Sequence, residues 1–349
     1  VNIHEKYIKR CIQLAKNGLG TTYPNPMVGS VIVYDNQIIG EGWHKKAGEP
    51  HAEVNAVNSV KDKSLLEKAT IYVSLEPCSH FGKTPPCCDL IIANKIPNVV
   101  VGTVDPNEKV AGRGIKKLIE AGANVTVGIL EEECSELNKR FFTFHQKRRP
   151  YIILKWAESQ DGFLAPEKIE NQDRKPIWIT NTHSRQLVHK WRTEEQAILV
   201  GTNTVIDDNP KLNARDWYGN NPARIVLDRN NRINKESFIF DGAVKTFIFC
   251  NEKTSSSTEN TQFEAIDFSQ NIVPQILEVL YQNQIQSVII EGGRQTLQSF
   301  IDENIWDESR IFIGKTSFEF GTKAPILSRK NSTKTNILSD ELIQIRNYD

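Results

Sequence analysis

Apolar residues recur at helical spacing through Tyr7, Ile8, Cys11, Ile12 and Ala15, which predicts a first helix over residues 4–17, stopped by Gly18 and Gly20. Pro24-Asn25-Pro26 cannot continue it. Residues 28–34 and 37–44 then read as a hairpin turned at Asp35-Asn36. Helical spacing over 52–60 and 87–94 brackets a short apolar strand at 70–74. Strand-like 99–102 and 125–127 flank a helical 115–121, and 131–142 reads as one closing helix. After basic Lys147-Arg148-Arg149 and Pro150, a fresh apolar strand begins at 151–154. Strands at 197–201, 224–228, 246–250 and 287–291 follow, with helices at 182–192, 272–282 and 296–301. The Ser/Thr/Asn-rich stretch 251–261 is expected to be an exposed, mobile loop.

This alternation predicts an α/β fold in both halves, the first a three-layer α/β/α sandwich. A chain of 349 residues is long for one domain. Two are expected, 1–147 and 148–349, divided at the basic triplet, which is read as a solvated linker. No internal repeat is visible.

Composition narrows the function. The 43 basic and 43 acidic residues cancel, so no basic field is available for a nucleic acid or an anionic membrane. No apolar run approaches the roughly 20 residues of a membrane span, and the charged start is unlike a signal peptide, so a cytoplasmic protein is expected. Of six cysteines, three cluster near a histidine, which fits a metal site in a reducing compartment; Cys11, Cys134 and Cys250 are expected in the core.

The chemistry concentrates between His51-Ala-Glu53 and Glu76-Pro-Cys78-Ser-His-Phe-Gly-Lys-Thr-Pro-Pro-Cys87-Cys88. One imidazole and two thiolates are three protein ligands, the count of a catalytic zinc whose fourth position holds water; iron could compete for the same set. Glu53 is placed to move protons between that water and a leaving amine. The pattern matches the His-x-Glu and Pro-Cys-x-x-Cys signature of zinc deaminases, except that eight residues separate Cys78 from Cys87. Cys87 is preferred to Cys88 as ligand, because Pro85-Pro86 sets it at a helix start where the dipole favours a thiolate.

With Thr22-Tyr-Pro-Asn25-Pro-Met-Val-Gly29, Gly48-Glu-Pro-His51 and Asp105-Pro-Asn-Glu-Lys-Val-Ala-Gly-Arg-Gly114, this stretch resembles the riboflavin-biosynthesis bifunctional deaminase/reductases. The resemblance implies a cytidine-deaminase-like domain joined to a dihydrofolate-reductase-like domain. It further implies Asn25, His44, Lys83 and Asp105 as substrate contacts in the first.

In the second half the strand residues Val288, Ile289 and Ile290 run into Glu291-Gly292-Gly293-Arg294 and then a helix. A second strand meets a helix at Gly201-Thr-Asn-Thr204. Such turns offer backbone amides to phosphates, and two of them suggest a nucleotide, although the full Rossmann fingerprint is absent. Lys155-Trp-Ala-Glu-Ser-Gln-Asp161-Gly162, Trp178-Ile-Thr180, Arg192 and residues 201–215 resemble the family's reductase domain, which implies NADPH-dependent reduction of a ribose to a ribityl chain. By position, Glu158, Trp178, Thr204, Asp208, Arg229, Gly293, Arg294, Gln295 and Thr296 fall on the cofactor side. Thr180, Arg192, Leu212, Arg215 and Glu291 fall on the substrate side.

Lys155 or Asp208 could protonate the developing oxygen. Trp156, Glu158, Pro176 and Arg229, and Phe320-Gly321-Thr322 in place of a glycine pair, depart from the family pattern. A second domain that binds without reducing is the alternative reading. A homo-oligomer acting on a small phosphorylated pyrimidine is expected.

Overall fold

Strand residues that alternate between two apolar faces organise each half of the chain in the computed structural model, which describes residues 2–81, 85–107, 111–167, 177–252 and 257–348. Lys83, Pro176 and the centre of the expected loop at 251–261 lie outside the described residues. The chain divides into two compact units, Val1–Arg148 and Arg149–Asp349.

The first unit runs α1 (Ile3–Ala15), β1 (Gly29–Tyr34), β2 (Gln37–Trp43), α2 (Ala52–Ser59), β3 (Thr70–Leu75), α3 (Cys87–Ala93), β4 (Asn98–Thr103), α4 (Arg113–Glu120), β5 (Asn124–Val127), α5 (Glu131–Leu137) and α6 (Lys139–Lys147). Its sheet has the order β2-β1-β3-β4-β5, with β1 antiparallel to both neighbours and β3, β4 and β5 parallel. Because side chains alternate along a strand, Ile32, Ile71, Val73, Val99 and Val101 face α2, α3 and α4. Val31, Val33, Tyr72 and Val100 face α1 and α5. Both faces are covered, so the sandwich has three layers. Ile71 is fully buried, and cutting it to Ala would cost about 2–5 kcal/mol through lost burial and the cavity left behind.

The single helix expected over 131–142 is two helices broken at Asn138. There the amide clamps Met27, accepting from its N–H at 2.8 Å and donating to its carbonyl at 2.9 Å. The pairing, invisible to local periodicity, ties the end of the layer to the loop before β1.

The second unit comprises β6 (Tyr151–Glu158), β7 (Phe163–Pro166), α7 (Thr182–Glu194), β8 (Ala197–Gly201), α8 (Thr202–Asp208), β9 (Ala223–Leu227), β10 (Thr246–Cys250), β11 (Thr261–Ala265), α9 (Ile272–Gln282), β12 (Ser287–Ile290), α10 (Arg294–Asp302), β13 (Glu308–Ile313), β14 (Gly321–Lys323), β15 (Thr333–Ile337) and β16 (Asp340–Arg346). Nine strands form one sheet in the order β11-β10-β9-β8-β12-β6-β13-β16-β15, and β14 pairs with β7 apart from it. The sheet is parallel from β11 to β13, and antiparallel through β16 and β15. Ile152, Leu154, Leu199, Ile225 and Phe247 pack with α9 and α10. Tyr151, Ile153 and Ile289 pack with Val188 and Trp191 of α7.

Candidate active sites

In the first unit β3 ends at Leu75 and delivers Glu76, Pro77 and Cys78 to its carboxyl end, while His51 and Cys87 stand at the starts of α2 and α3. His51 Nδ1 lies 3.6 Å from Cys78 Sγ and 3.3 Å from Cys87 Sγ, and the three ligand atoms all fall within 4.8 Å of one another. Ligands about 2.0–2.3 Å from a tetrahedral zinc stand about 3.6–3.8 Å apart. The side chains therefore match a tetrahedral ion in both donor type and spacing. The Cys87 N–H also points at Cys78 Sγ, 3.3 Å away. Cys78 is pulled down to about 4 by a hydrogen bond from Cys87, with burial opposing and His51 assisting. Cys87, as the donor of the pair, is pushed up. Cys88 turns away into the core and is 0% exposed, its thiol donating to the Pro77 and Gly114 carbonyls.

Glu53 sits on the first turn of α2, 3% exposed. Burial first, and then the charge of Cys78, push its carboxyl up to about 7, against the opposing pull of His51. A carboxyl poised near neutrality can both accept and return a proton. Beside His51 stands His44, ring centroids 5.3 Å apart and edge-on. His44 Nδ1 faces the Pro50 carbonyl at 3.2 Å and Nε2 faces Asn25 Nδ2 at 3.1 Å, so the neutral ring donates through Nδ1 and accepts at Nε2. Its burial lowers its pKa, which suits that neutral form. The expected Asn25, His44, His51 and Glu53 are thus brought together.

Glu76, which sequence reasoning passed over as part of a motif, organises the far side. Its buried carboxylate accepts from the N–H groups of Gly112 (2.9 Å), Gly114 (2.8 Å), Asp105 (3.3 Å) and Ile115 (3.4 Å). Asp105 is thereby held beside the loop that carries Cys78. The approach is so close that a side chain at Gly114 would strike the Pro77 carbonyl. The signal in the sequence was an acidic residue directly before Pro-Cys.

In the second unit adjacent parallel strands, in the order β9-β8-β12-β6, carry the site at their carboxyl ends, where open α/β sheets bind ligands. Register sets Ile290 opposite Leu154, which places Glu291 and Lys155 one step further on neighbouring strands. Glu291 accepts from Arg192 Nη2 at 2.7 Å and Nε at 3.1 Å, and from Lys155 Nζ at 3.5 Å. Burial raises the Glu291 carboxyl, but the charges and hydrogen bonds of Arg192 and Lys155 outweigh it and hold the group at about 2. Burial lowers the Lys155 ammonium, Glu291 opposing.

The two glycine turns meet. Thr204 Oγ1 accepts from the Gly293 N–H at 3.1 Å, and a Cβ on Gly292 would stand 2.6 Å from the Gly201 nitrogen. Gly293, Arg294 and Gln295 are exposed and Thr296 is half-buried, so the start of α10 is open to a ligand. Thr204 and Asp208 lie one turn apart on α8. Leu212 is buried with a left-handed backbone, and half-exposed Arg215 stands 3.9 Å from Asp216. Trp178 is 57% exposed beneath the Arg185 guanidinium, and Thr180 directly precedes the Asn181 cap of α7.

Glu158, placed on the cofactor side by resemblance, is buried and turned inward. It accepts from Trp156 Nε1 at 2.9 Å and pairs with Arg329 at 2.7 Å, so the two departures in this strand satisfy each other. Arg229 is exposed, its guanidinium 5.9 Å from the Phe268 ring.

Residues 1–103 match the cytidine and deoxycytidylate deaminase zinc-binding region, and residues 150–339 match the RibD C-terminal domain. The riboflavin biosynthesis protein RibD of Aquifex aeolicus is 41% identical over 89% of this chain and 86% of its own. That of Escherichia coli K12 is 36% identical over 88% and 87%. The crystal structure of a diaminohydroxyphosphoribosylaminopyrimidine deaminase/5-amino-6-(5-phosphoribosylamino)uracil reductase from Thermotoga maritima superposes with a TM-score of 0.87 at 37% identity, covering 99% of this chain and 98% of that one. Likeness of this extent reaches both units and runs through the three-ligand centre of the one and the paired glycine turns of the other: the chain belongs to the RibD family of riboflavin biosynthesis, enzymes that join a zinc-dependent deaminase domain to an NADPH-dependent reductase domain.

Proposed function

We propose that the deaminase, residues 1–147, hydrolyses the ring amine of 2,5-diamino-6-(5-phosphoribosylamino)pyrimidin-4-one. The reductase, residues 148–349, then uses NADPH to convert the ribosyl chain to ribityl, giving 5-amino-6-(5-phosphoribitylamino)uracil. The observation that carries this reading is the His51, Cys78 and Cys87 cluster with buried Glu53 beside it. In the deamination a C–N bond is exchanged for C–O and ammonia leaves. Zinc, held by those three side chains, supplies an acidified water near neutral pH. Glu53 takes a proton from the attacking water and returns it to the departing amine. Asn25, its amide oriented by the bond to His44 Nε2, presents its remaining N–H and its oxygen to the pyrimidine edge, His44 packs beside the ring, and Lys83 and Asp105 complete the substrate contacts.

In the reductase NADPH supplies the hydride. Thr204, Asp208 and the 293–296 turn would hold it, with Trp178 and Arg229 on the same side, while Glu158 contributes from within its strand by holding Trp156 and Arg329. Arg215 binds the phosphate of the substrate by its planar fork, and Arg192 by the two N–H groups that its bonds to Glu291 and Asn213 leave over, with Thr180, Leu212 and Glu291 around it. Lys155 is the better proton donor of the two candidates. Its ammonium is buried, its pKa is lowered, and it is held to Glu291 at the strand ends. Asp208 then serves the cofactor.

Among the described residues no helix is long and apolar enough to cross a membrane. The reading is of a cytoplasmic homo-oligomer that engages neither nucleic acid nor lipid. A coupled assay on the phosphorylated diaminopyrimidine tests it: mass spectrometry should register exchange of an amino for a hydroxyl group without NADPH, and gain of two hydrogens once NADPH is added. Deamination with no NADPH oxidation would instead favour a second domain that binds without reducing.

A further inference from the structure

Two groups assigned above to the substrate, Leu212 and Arg215, lie on the loop 212–216, and α7 grips that loop at one carbonyl. The Asn213 oxygen accepts from Arg192 Nη1 at 3.1 Å and faces His189 Nδ1 at 3.0 Å. The other ring nitrogen, His189 Nε2, lies 3.1 Å from Asp216 Oδ2. A carbonyl and a carboxylate offer only lone pairs, and a neutral imidazole carries one N–H. Both contacts are hydrogen bonds only when the ring is imidazolium. His189 is 4% exposed. The charged groups facing it are Arg192 from its own helix, and Arg215 and Asp216 from the loop. Asp216 favours the cation, whereas burial first, and then the two arginines, lower the pKa of the ring. Asp216 Oδ2 also lies 3.9 Å from Arg215 Nε, so a chain of contacts runs from His189 through Asp216 to Arg215.

We infer that His189 is a positioning residue of the reductase: it takes up a proton when a phosphorylated ligand neutralises Arg192 and Arg215, and the imidazolium then fastens Asp216 and with it Arg215. The inference rests on the reading of Arg192 and Arg215 as phosphate contacts. Linkage is reciprocal, so the proton strengthens ligand binding by the factor with which the ligand strengthens proton binding. A phosphate dianion placed between two guanidiniums removes the main electrostatic opposition to the charged ring and leaves Asp216 to favour it.

The test is calorimetric titration of the full-length, zinc-loaded enzyme with ribose 5-phosphate, in two buffers of different ionisation enthalpy. At about pH 7.5 the ligand is already a dianion, since a phosphate monoester has its second pKa near 6. The wild type should show net proton uptake on binding. His189→Gln, whose amide can make one of the contacts but cannot titrate, should lose the uptake and bind about 5–10-fold more weakly, at the low end of the usual coupling between sites. In Asp216→Asn the new amide can donate to the neutral ring, so uptake should also vanish. The KM of the deaminated substrate should rise with pH more steeply in wild type than in His189→Gln. Uptake unchanged in His189→Gln, or absent from the wild type, overturns the inference. The underlying reading fails separately: Arg215→Ala would then bind ribose 5-phosphate as tightly as the wild type.

Discussion

The metal centre and the reductase cleft solve the same problem, holding charged groups out of water, with opposite use of the chain. The first draws its ligands from a stretch of 37 residues, His51 to Cys87, and sets them at two helix starts and one strand end. The second joins Lys155 to Glu291 across 136 positions, through the parallel pairing of β6 with β12, and Arg192 of α7 to Glu291 across 99, through the packing of that helix on the sheet. A site whose chemistry resides in ligand spacing survives as a local pattern. A site whose chemistry resides in sheet order does not.

The sharpest way to break the comparison is to remove one group from the local site. Glu53→Gln keeps size and burial but removes the proton carrier. Deamination should fall by about 10²–10⁴-fold, the usual contribution of a general acid–base, with zinc content unchanged and reduction of already deaminated substrate intact. Deamination at the wild-type rate in the zinc-replete variant would remove Glu53 from the mechanism. In the other unit Lys155→Ala should stop reduction and let the deaminated intermediate accumulate, which chromatography of the reaction mixture would detect. If either variant silenced both activities, the two sites would not be independent.

Metal analysis sharpens the local half. Cys87→Ser should lower bound zinc, because it replaces a ligand 3.3 Å from His51 Nδ1. Cys88→Ser should leave it near the wild-type content, since that thiol faces two carbonyls in the core. The opposite pattern would exchange the roles of the two cysteines.

Much of the scaffold was legible for a physical reason. Parallel strands covered on both faces read as continuous apolar runs, and β8 at Ala197–Gly201 and β10 at Thr246–Cys250 carry them plainly. The antiparallel end did not announce itself. β15, Thr-Lys-Thr-Asn-Ile, is exposed along four of its five residues and has no apolar face to betray it. The break between α5 and α6 depends on Asn138 reaching Met27, 111 positions away. At the sites, His51, Cys78, Cys87 and Glu53 were visible as a motif. The four N–H groups gathered by Glu76, the inward pairing of Glu158 with Arg329, and the grip of His189 on the loop at Asn213 required tertiary structure.

Acid titration probes the distant half. The Glu291 carboxyl, held at about 2 against an ordinary value of 4.5, is depressed in the folded protein. Its contribution is present above the unfolded value and is lost as pH falls from there towards 2. The pair is buried, so the gross effect is on the order of 3 kcal/mol, less what burying Lys155 costs. Denaturant unfolding of the wild type should show a decline over that range, and Glu291→Gln should flatten it while starting from a less stable protein, because Arg192 and Lys155 are left buried without their partner. Equal slopes in the two proteins would assign the acid sensitivity elsewhere.

The smallest effect expected is at Asn25. Its amide donates to His44 Nε2, and with the Pro50 carbonyl on Nδ1 it fixes the tautomer and the plane of a ring that stands edge-on to the ligand His51. Asn25→Ala removes one of those two bonds and one donor to the pyrimidine, but touches neither the ligands nor Glu53. A neutral hydrogen bond is worth about 1 kcal/mol net, so the Michaelis constant should rise by roughly tenfold or less, with turnover changed little and zinc content not at all. Because the loss would be felt equally in ground and transition states, the signature is in KM. A fall in turnover with KM unchanged would mean that His44 acts on the reacting atoms and that Asn25 positions it, which would move His44 from binding into catalysis.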